Sequence, residues 1–138
     1  MAVDTPAPPK NAWDRWFHVS QRGSTNGREI RGGLVTFFTM AYIVILNPLI
    51  IGTAQDKGGQ FIGGSNVVAS IAAVSAATAL VAGLMTIAMG VFGRFPVAMA
   101  AGLGINGVVA FSLAPHMSWA DAMGLVVLEG ILILILVV

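Results

Sequence analysis

The distribution of charge along this 138-residue chain constrains its fold more than any other feature. Of seven basic and six acidic residues, eight lie within the first 31 positions. The other five are spread over positions 32–138, and they are Asp56, Lys57, Arg94, Asp121 and Glu129. Charged residues make up 9% of the chain and apolar residues 57%, against roughly 25% charged in an ordinary soluble domain. So few charges cannot cover a water-facing surface, and the chain is expected to be an integral membrane protein.

Four apolar segments follow the charged N-terminal region, at residues 32–52, 65–92, 96–113 and 121–138. About 20 helical residues cross the roughly 30 Å hydrocarbon core of a bilayer. The pattern therefore predicts an all-α, polytopic helical bundle of about four spans embedded in the lipid bilayer. The last segment stops after ILILILVV without the aromatic or basic anchors that usually close a span. We therefore expect the chain to be a truncated, N-terminal piece of a longer protein.

Residues 1–31 form a tail ahead of the first span, and the basic residues in it predict the topology. Trp13, Trp16 and Phe17 share one helical face, which predicts an interfacial helix over residues 12–19. Five Lys or Arg residues precede the first span, and Lys57 lies in the loop that follows it. The positive-inside rule predicts a cytoplasmic N-terminus and a multi-pass protein of the cytoplasmic (inner) membrane. The alternative, a secretory signal peptide, fits poorly because the run is long and further spans follow.

Several function classes are excluded by composition. The absence of cysteine removes disulfides, thiolate metal sites and cysteine nucleophiles. His18 and His116 are far apart in the sequence and have no acidic neighbours, so neither a metal site nor a catalytic pair is expected. No catalytic residue, enzyme activity or cofactor is therefore predicted. A net charge of +1 without a basic stripe also argues against a nucleic-acid partner.

The third apolar segment contains the most informative motif, Gly102-Leu-Gly104-Ile-Asn106-Gly107. Its G-x-G-x-x-G spacing matches a dinucleotide fingerprint, but a Rossmann unit faces water whereas this motif lies between two apolar spans. Closely spaced glycines instead predict a helix that begins part-way across the bilayer and offers bare backbone to a polar ligand. The alternative is a glycine-rich packing kink in which Asn106 hydrogen-bonds a neighbouring helix. The residues alone leave both readings open.

Glu129 lies inside the fourth apolar segment. An acidic residue within a span is a candidate for ion coupling or for a hydrogen bond to another helix. Insertion of this segment into the membrane remains favourable. An acidic residue in the middle of a span costs roughly 2.5–3.5 kcal/mol, while the surrounding Leu, Ile and Val residues contribute about −0.3 to −0.6 kcal/mol each. Both roles stay open for this residue.

Three regions of the sequence resemble the hypoxanthine/guanine/adenine permease branch of the nucleobase:cation symporter-2 (xanthine/uracil permease) superfamily. In and before the first span the similar stretches are 22–25 (RGST), 29–31 (EIR), 36–43 (TFFTMAYI) and 47–48 (NP). In the third span the similar stretch is 96–106 (PVAMAAGLGIN), and in the fourth it is 119–130 (WADAMGLVVLEG). The resemblance covers about residues 12–138.

This resemblance implies a fold and a function beyond the residue patterns. Such permeases have fourteen spans in two inverted seven-span repeats, and the third span contains a short extended stretch followed by a half-helix. Carried over, Gly102, Gly104 and Asn106 would bind a purine nucleobase, with a proton as the expected coupling ion. Homodimerisation is a further expectation for the full-length protein. A non-transporting membrane scaffold or assembly subunit is the alternative function.

Overall fold

A computed structural model of the chain describes residue 8 and residues 11–95, 97–100 and 102–137. Most of the stretch 1–11, together with Pro96, Ala101 and Val138, lies outside the described residues. All regular structure within those ranges is helical, with isolated bridges in the loop at 55–64. This confirms the all-α class. Three helices are long and apolar enough to cross a membrane, namely Asn26–Ile51, Val67–Gly93 and Trp119–Val137, and a shorter apolar helix occupies Leu103–His116.

The N-terminal region forms a short helix, α1 (Ala12–Phe17), which ends where His18 adopts a left-handed conformation with φ of 56°. A second helix, α2 (Asn26–Met40), starts where the Thr25 hydroxyl accepts a hydrogen bond from the backbone N–H of Arg28. α2 therefore begins six residues before the apolar run at 32–52. Hydropathy marks the part of a helix that lies in lipid, and capping marks where the helix begins.

The first apolar segment continues from α2 into α3 (Ile43–Ile51), with a turn at residues 41–42 between them. In this turn the backbone N–H groups of Val44 and Ile45 bond to the carbonyls three residues earlier. Asn47 and Pro48 follow within α3, and both are buried. Because proline lacks an N–H group, it weakens the regular helical bonding just ahead of it. The segment packs against the second long helix, α4 (Val67–Ala88).

α4 continues into a π-helical turn, Met89–Gly93, and stops at Arg94, whose φ is 55°. The docked N-terminal helix covers this end. Trp16 Nε1 donates to the Val91 carbonyl at 3.2 Å, and the Arg94 guanidinium lies 4.7 Å from the centre of the Trp16 ring. Arg22 Nη2 donates to the Arg94 carbonyl at 3.1 Å. These contacts fix the chain just before it enters the third apolar segment.

The third apolar segment is not a continuous helix. Residues 97–100 are non-helical, Gly102 is extended with φ −73° and ψ 114°, and α5 (Leu103–Val108) starts immediately afterwards. Helical turns then carry the chain to His116, and α6 (Trp119–Val137) follows. The predicted break in this segment is thus present among its described residues.

The buried core lies where the loops at 52–66 and 114–118 meet the start of α6, and we call this region the loop junction. Its buried residues are Ile51, Val109, Ala114, Trp119 and Ala122. Trp119 is 6% exposed and its Nε1 donates to the Gln60 carbonyl at 3.0 Å. The Asp56 carboxylate accepts from the backbone N–H groups of Gln60, Gly58 and Trp119, and these bonds hold the pKa of Asp56 below its ordinary value of 3.8.

Candidate binding site along the third apolar segment

The non-helical stretch at 97–100 is held by a side chain of α4. The Met99 N–H donates to Thr86 Oγ1 at 3.0 Å, and the same hydroxyl donates to the Met99 carbonyl at 3.3 Å. Unpaired backbone is costly in a bilayer, so irregular segments persist there only when protein or a water-filled cavity satisfies them. Thr86 supplies both hydrogen bonds for one residue of this stretch and so fixes its path beside α4.

A groove of about 690 Å³ runs beside the same stretch. Its walls come from α2, α3, α4 and residues 97–100, and its hydroxyl groups come from Thr36, Thr78 and Thr86. A volume of this size, with mostly apolar walls and few polar groups, is typical of small-molecule sites. Ala100 is among the residues that line the groove, and Gly102 follows two positions later in the sequence.

Gly102, Gly104 and Gly107 form what we call the glycine edge. A Cβ atom built on any of the three would meet nothing within 4 Å among the described residues. Gly102 and Gly104 are exposed, and Gly102 makes no side-chain cap for the first N–H groups of α5. The described chain therefore does not use these glycines for close helix packing. They leave backbone accessible at the start of a helix, where free N–H groups favour polar or anionic ligand atoms.

Asn106 makes a side-chain hydrogen bond to a neighbouring helix. Its Nδ2 donates to Asn47 Oδ1 on α3, and Asn47 Nδ2 donates to Thr78 Oγ1 on α4 at 2.7 Å. We call these three side chains the amide chain. Asn106 is half-buried and Asn47 is 6% exposed. The amide chain joins α3, α4 and α5, so Asn106 makes the interhelical bond considered above. Its contact with substrate stays a prediction.

Asn47 and Thr78 are site residues that the sequence interpretation did not single out. Asn47 is the one amide side chain in the apolar run at 32–52, and Thr78 is one of two threonines in the run at 65–92. Polar side chains within such runs commonly bond across helices. A single amide side chain in an apolar run is the feature by which Asn47 could have been recognised from the sequence, although this feature does not identify its partner.

Glu129 is not brought into contact with these groups. It lies on α6, whose buried residues, Trp119 and Ala122, are both in the first turn. Glu129 is exposed and makes no hydrogen bond or ion pair with any part of the chain that the structure describes. Among the same residues, no group of three His, Cys, Asp or Glu side chains could hold a metal ion. The role of Glu129 therefore also stays a prediction.

Comparison with known proteins identifies several permeases. A guanine/hypoxanthine permease of Escherichia coli O157:H7 is 40% identical over 121 residues, which are 86% of this chain and 24% of the permease. An adenine permease of Escherichia coli strain K12 is 39% identical over 113 residues, 80% of this chain and 22% of that protein. A guanine/hypoxanthine permease of Bacillus subtilis strain 168 is 35% identical over 119 residues, 85% of this chain and 26% of the permease.

The chain thus spans about a quarter of the length of the curated relatives it matches. No family profile matches it, and no solved structure matches it either. The three alignments nevertheless cover 86%, 80% and 85% of this chain. They confirm the resemblance of this chain to the nucleobase permease family.

Proposed function

We propose that the protein carrying this chain transports purine nucleobases across the cytoplasmic membrane by secondary active transport coupled to protons. The observation that carries the proposal is 40% identity to a guanine/hypoxanthine permease, over an alignment that covers 86% of this chain. Proton coupling rests on the family resemblance alone. In the complete protein we propose a fourteen-span, inverted-repeat fold that assembles as a homodimer.

The glycine edge is the proposed substrate contact. A purine is a flat ring with hydrogen-bond donors and acceptors on its rim. Without side chains at Gly102 and Gly104, such a ring can come close to the backbone and meet the first N–H groups of α5. Asn106 contributes its amide from the same helix, and Glu129 is the proposed intramembrane acid for ion coupling. The groove beside residues 97–100 provides an approach to this edge.

The proposed orientation has α1 and Arg94 in the cytoplasm and the loop junction outside the cell, with residues 1–31 as a cytoplasmic tail. Its support is the excess of basic residues before the first span over the single Lys57 in the following loop. Single cysteines at positions 22, 57 and 94 test it in intact cells. A membrane-impermeant thiol reagent should modify position 57 and spare 22 and 94. The reverse labelling pattern would contradict the orientation.

Uptake of radiolabelled hypoxanthine, guanine and adenine by cells expressing the complete gene product tests the function. We expect saturable uptake that a protonophore abolishes. Uptake that survives the protonophore would remove proton coupling but leave transport standing. No uptake of any purine, with normal expression in the membrane, would favour the scaffold alternative.

Two substitutions test the site. Gly104→Val places a branched side chain on the glycine edge and should abolish uptake, whereas Gly124→Val on α6, where a Cβ is equally unobstructed, is the matched control. Asn106→Ala should weaken apparent affinity by about 5- to 150-fold, the effect of leaving one buried polar group unpaired. If Asn106 serves only helix packing, expression or thermal stability falls and the remaining protein transports with unchanged affinity.

A further inference from the structure

We infer that Asn47 and Thr78 are positioning residues for the Asn106 amide, and that they leave its carbonyl oxygen as the atom offered to a purine N–H. The inference rests on the proposed function, because it assigns a hydrogen-bonding direction to the proposed substrate site. It adds two residues to that site and specifies which feature of the ligand Asn106 recognises.

The first step is the direction of the amide chain. A carboxamide has an accepting end and a donating end. Asn47 uses both ends, since its Nδ2 donates to Thr78 Oγ1 at 2.7 Å and its Oδ1 accepts from Asn106 Nδ2. Because Asn47 is 6% exposed, water has little access to replace either bond. Rotating its amide by 180° would set its oxygen against Thr78 and its NH₂ group against the NH₂ group of Asn106. As long as the Thr78 hydroxyl accepts, Asn47 therefore holds Asn106 as a donor on this side.

The second step concerns the other end of the Asn106 amide. With Nδ2 bonded to Asn47, Oδ1 lies on the opposite side of the same planar group. Oδ1 has no hydrogen-bond partner among the described residues, and the side chain is only half-buried. An available carbonyl oxygen accepts hydrogen bonds and cannot donate them. A ligand that meets it must therefore supply an N–H group, either a ring N–H or an exocyclic amino group of the purine.

The third step is the role of Thr78. Its hydroxyl accepts from Asn47, and it is the one member of the amide chain that also lines the groove beside residues 97–100. A hydroxyl can either donate or accept. If Thr78 donated to Asn47, the direction of both hydrogen bonds in the amide chain would be reversed. In the reversed chain Asn106 would offer an N–H group to the ligand. The two directions predict opposite ligand preferences, which makes the assignment testable.

The experiment compares ligands as well as variants. Uptake of radiolabelled hypoxanthine is measured in cells expressing the complete gene product, in competition with analogues that each have one ring N–H replaced by N-methyl. A second set has one ring nitrogen acceptor replaced by C–H. We expect at least one N-methyl analogue to bind about 5- to 150-fold more weakly than hypoxanthine, because Asn106 Oδ1 is left unpaired. Stronger rejection of the acceptor-deleted set, with no N-methyl analogue rejected, would overturn the assignment.

Variants then test whether Asn47 and Thr78 set this preference. Thr78→Val and Asn47→Leu remove the groups that fix the Asn106 amide, so the affinity ratio between hypoxanthine and the rejected analogue should fall toward one. Thr78→Ser keeps the hydroxyl and should keep the ratio of the unsubstituted protein. A ratio that stays unchanged in both Thr78→Val and Asn47→Leu, whatever their expression, would overturn the positioning role.

The affinity ratio between hypoxanthine and the rejected analogue tests the positioning role separately from the proposed transport function. A purely structural contribution of Asn47 lowers the amount of folded protein, but it does not alter the relative affinity of two ligands. If Asn47→Leu fails to reach the membrane, the Thr78→Val and Thr78→Ser pair decides the question. Failure of the unsubstituted protein to take up any purine would instead remove the proposed function.

Discussion

Glycine has different structural roles in the loop junction and at the glycine edge. A Cβ atom on Gly63 would lie 2.6 Å from Ser70 Cα, and one on Gly52 would lie 2.5 Å from the Pro48 carbonyl oxygen. Real Cβ contacts are not that short, so these two positions need glycine for close packing. At Gly102, Gly104 and Gly107 the same test finds nothing within 4 Å among the described residues. The sequence contains glycine in both places. Only the neighbouring atoms show whether a glycine allows close packing or leaves the backbone exposed.

The difference divides the described chain into a closely packed part and a part whose backbone is left exposed. The loop junction buries Trp119, Ala114 and Ala122. Trp119 bonds to the loop at 52–66 twice, since its Nε1 donates to the Gln60 carbonyl and its backbone N–H donates to the Asp56 carboxylate. Gly102 and Gly104 of the glycine edge are exposed, while Asn106 on the same helix bonds to Asn47. Substitutions in the first region should therefore change stability, whereas substitutions in the second should change binding.

The largest stability effect is expected for Gly63→Ala in the loop junction. The added methyl group would overlap Ser70 Cα and approach Ser70 N at 3.0 Å, and both are backbone atoms of α4 that cannot move independently. Overpacking of this kind costs about 1–3 kcal/mol. Thermal unfolding of the purified protein in detergent measures it, with Gly124→Ala on α6 as the unobstructed control. Equal melting temperatures for the two variants would contradict close packing at Gly63.

The next effect is expected for Trp119→Phe. The substitution keeps an aromatic ring in the junction but removes the Nε1 donor to the Gln60 carbonyl, a bond of 3.0 Å. Loss of one such hydrogen bond costs about 0.5–1.5 kcal/mol. Trp13→Phe is the control, since Trp13 is 76% exposed. The melting temperature should fall for Trp119→Phe and stay nearly constant for Trp13→Phe. Equal changes in the melting temperatures of the two variants would show that the bond from Trp119 to Gln60 does not stabilise this region.

Gly104→Ala tests the glycine edge and should have the opposite sign. Replacing glycine by alanine where the backbone conformation suits both residues stabilises a protein by about 0.4–1 kcal/mol, and no described atom obstructs a methyl group at position 104. The protein should therefore melt at a slightly higher temperature. Its apparent affinity for purines should nevertheless fall, because the methyl group holds the ligand away from the backbone. Loss of stability in Gly104→Ala would mean that this edge is packed after all, and the comparison with Gly63 would fail.

The helical class, the apolar segments and the break in the third segment could be predicted from the sequence. Each of these depends on length, composition or glycine spacing, which can be counted along the chain. Which way each helix faces could not be predicted. Helices α3 to α6 are apolar on nearly every side, so no amphipathic stripe indicates which face is buried.

The contacts that define the site are long-range for the same reason. Asn106 bonds to Asn47, 59 positions earlier, and the Trp119 N–H bonds to Asp56, 63 positions earlier. Spacing along the chain predicted Asn106 as a polar group at a helix start. It could not identify Asn47 as the partner of Asn106, because that contact depends on how α5 is rotated against α3.

The smallest expected effect is a dependence of junction stability on pH through Asp56. In the folded protein, hydrogen bonds from the backbone N–H groups of Gln60, Gly58 and Trp119 lower the pKa of this carboxyl below 3.8, its value without those bonds. A lowered pKa means that the folded state favours the ionised form. The contribution to stability is therefore fully present above about pH 4 and is lost as the pH falls through the lowered pKa. It should be modest because Asp56 lies in a solvated loop, where water screens the charge.

Melting temperatures measured in detergent from about pH 6 down to about pH 3 should fall more steeply for the unsubstituted protein than for Asp56→Asn, which has no carboxyl to titrate. Equal slopes would show that the Asp56 charge does not stabilise the loop junction, and Trp119 would then hold the two loops together through packing and its bond to Gln60.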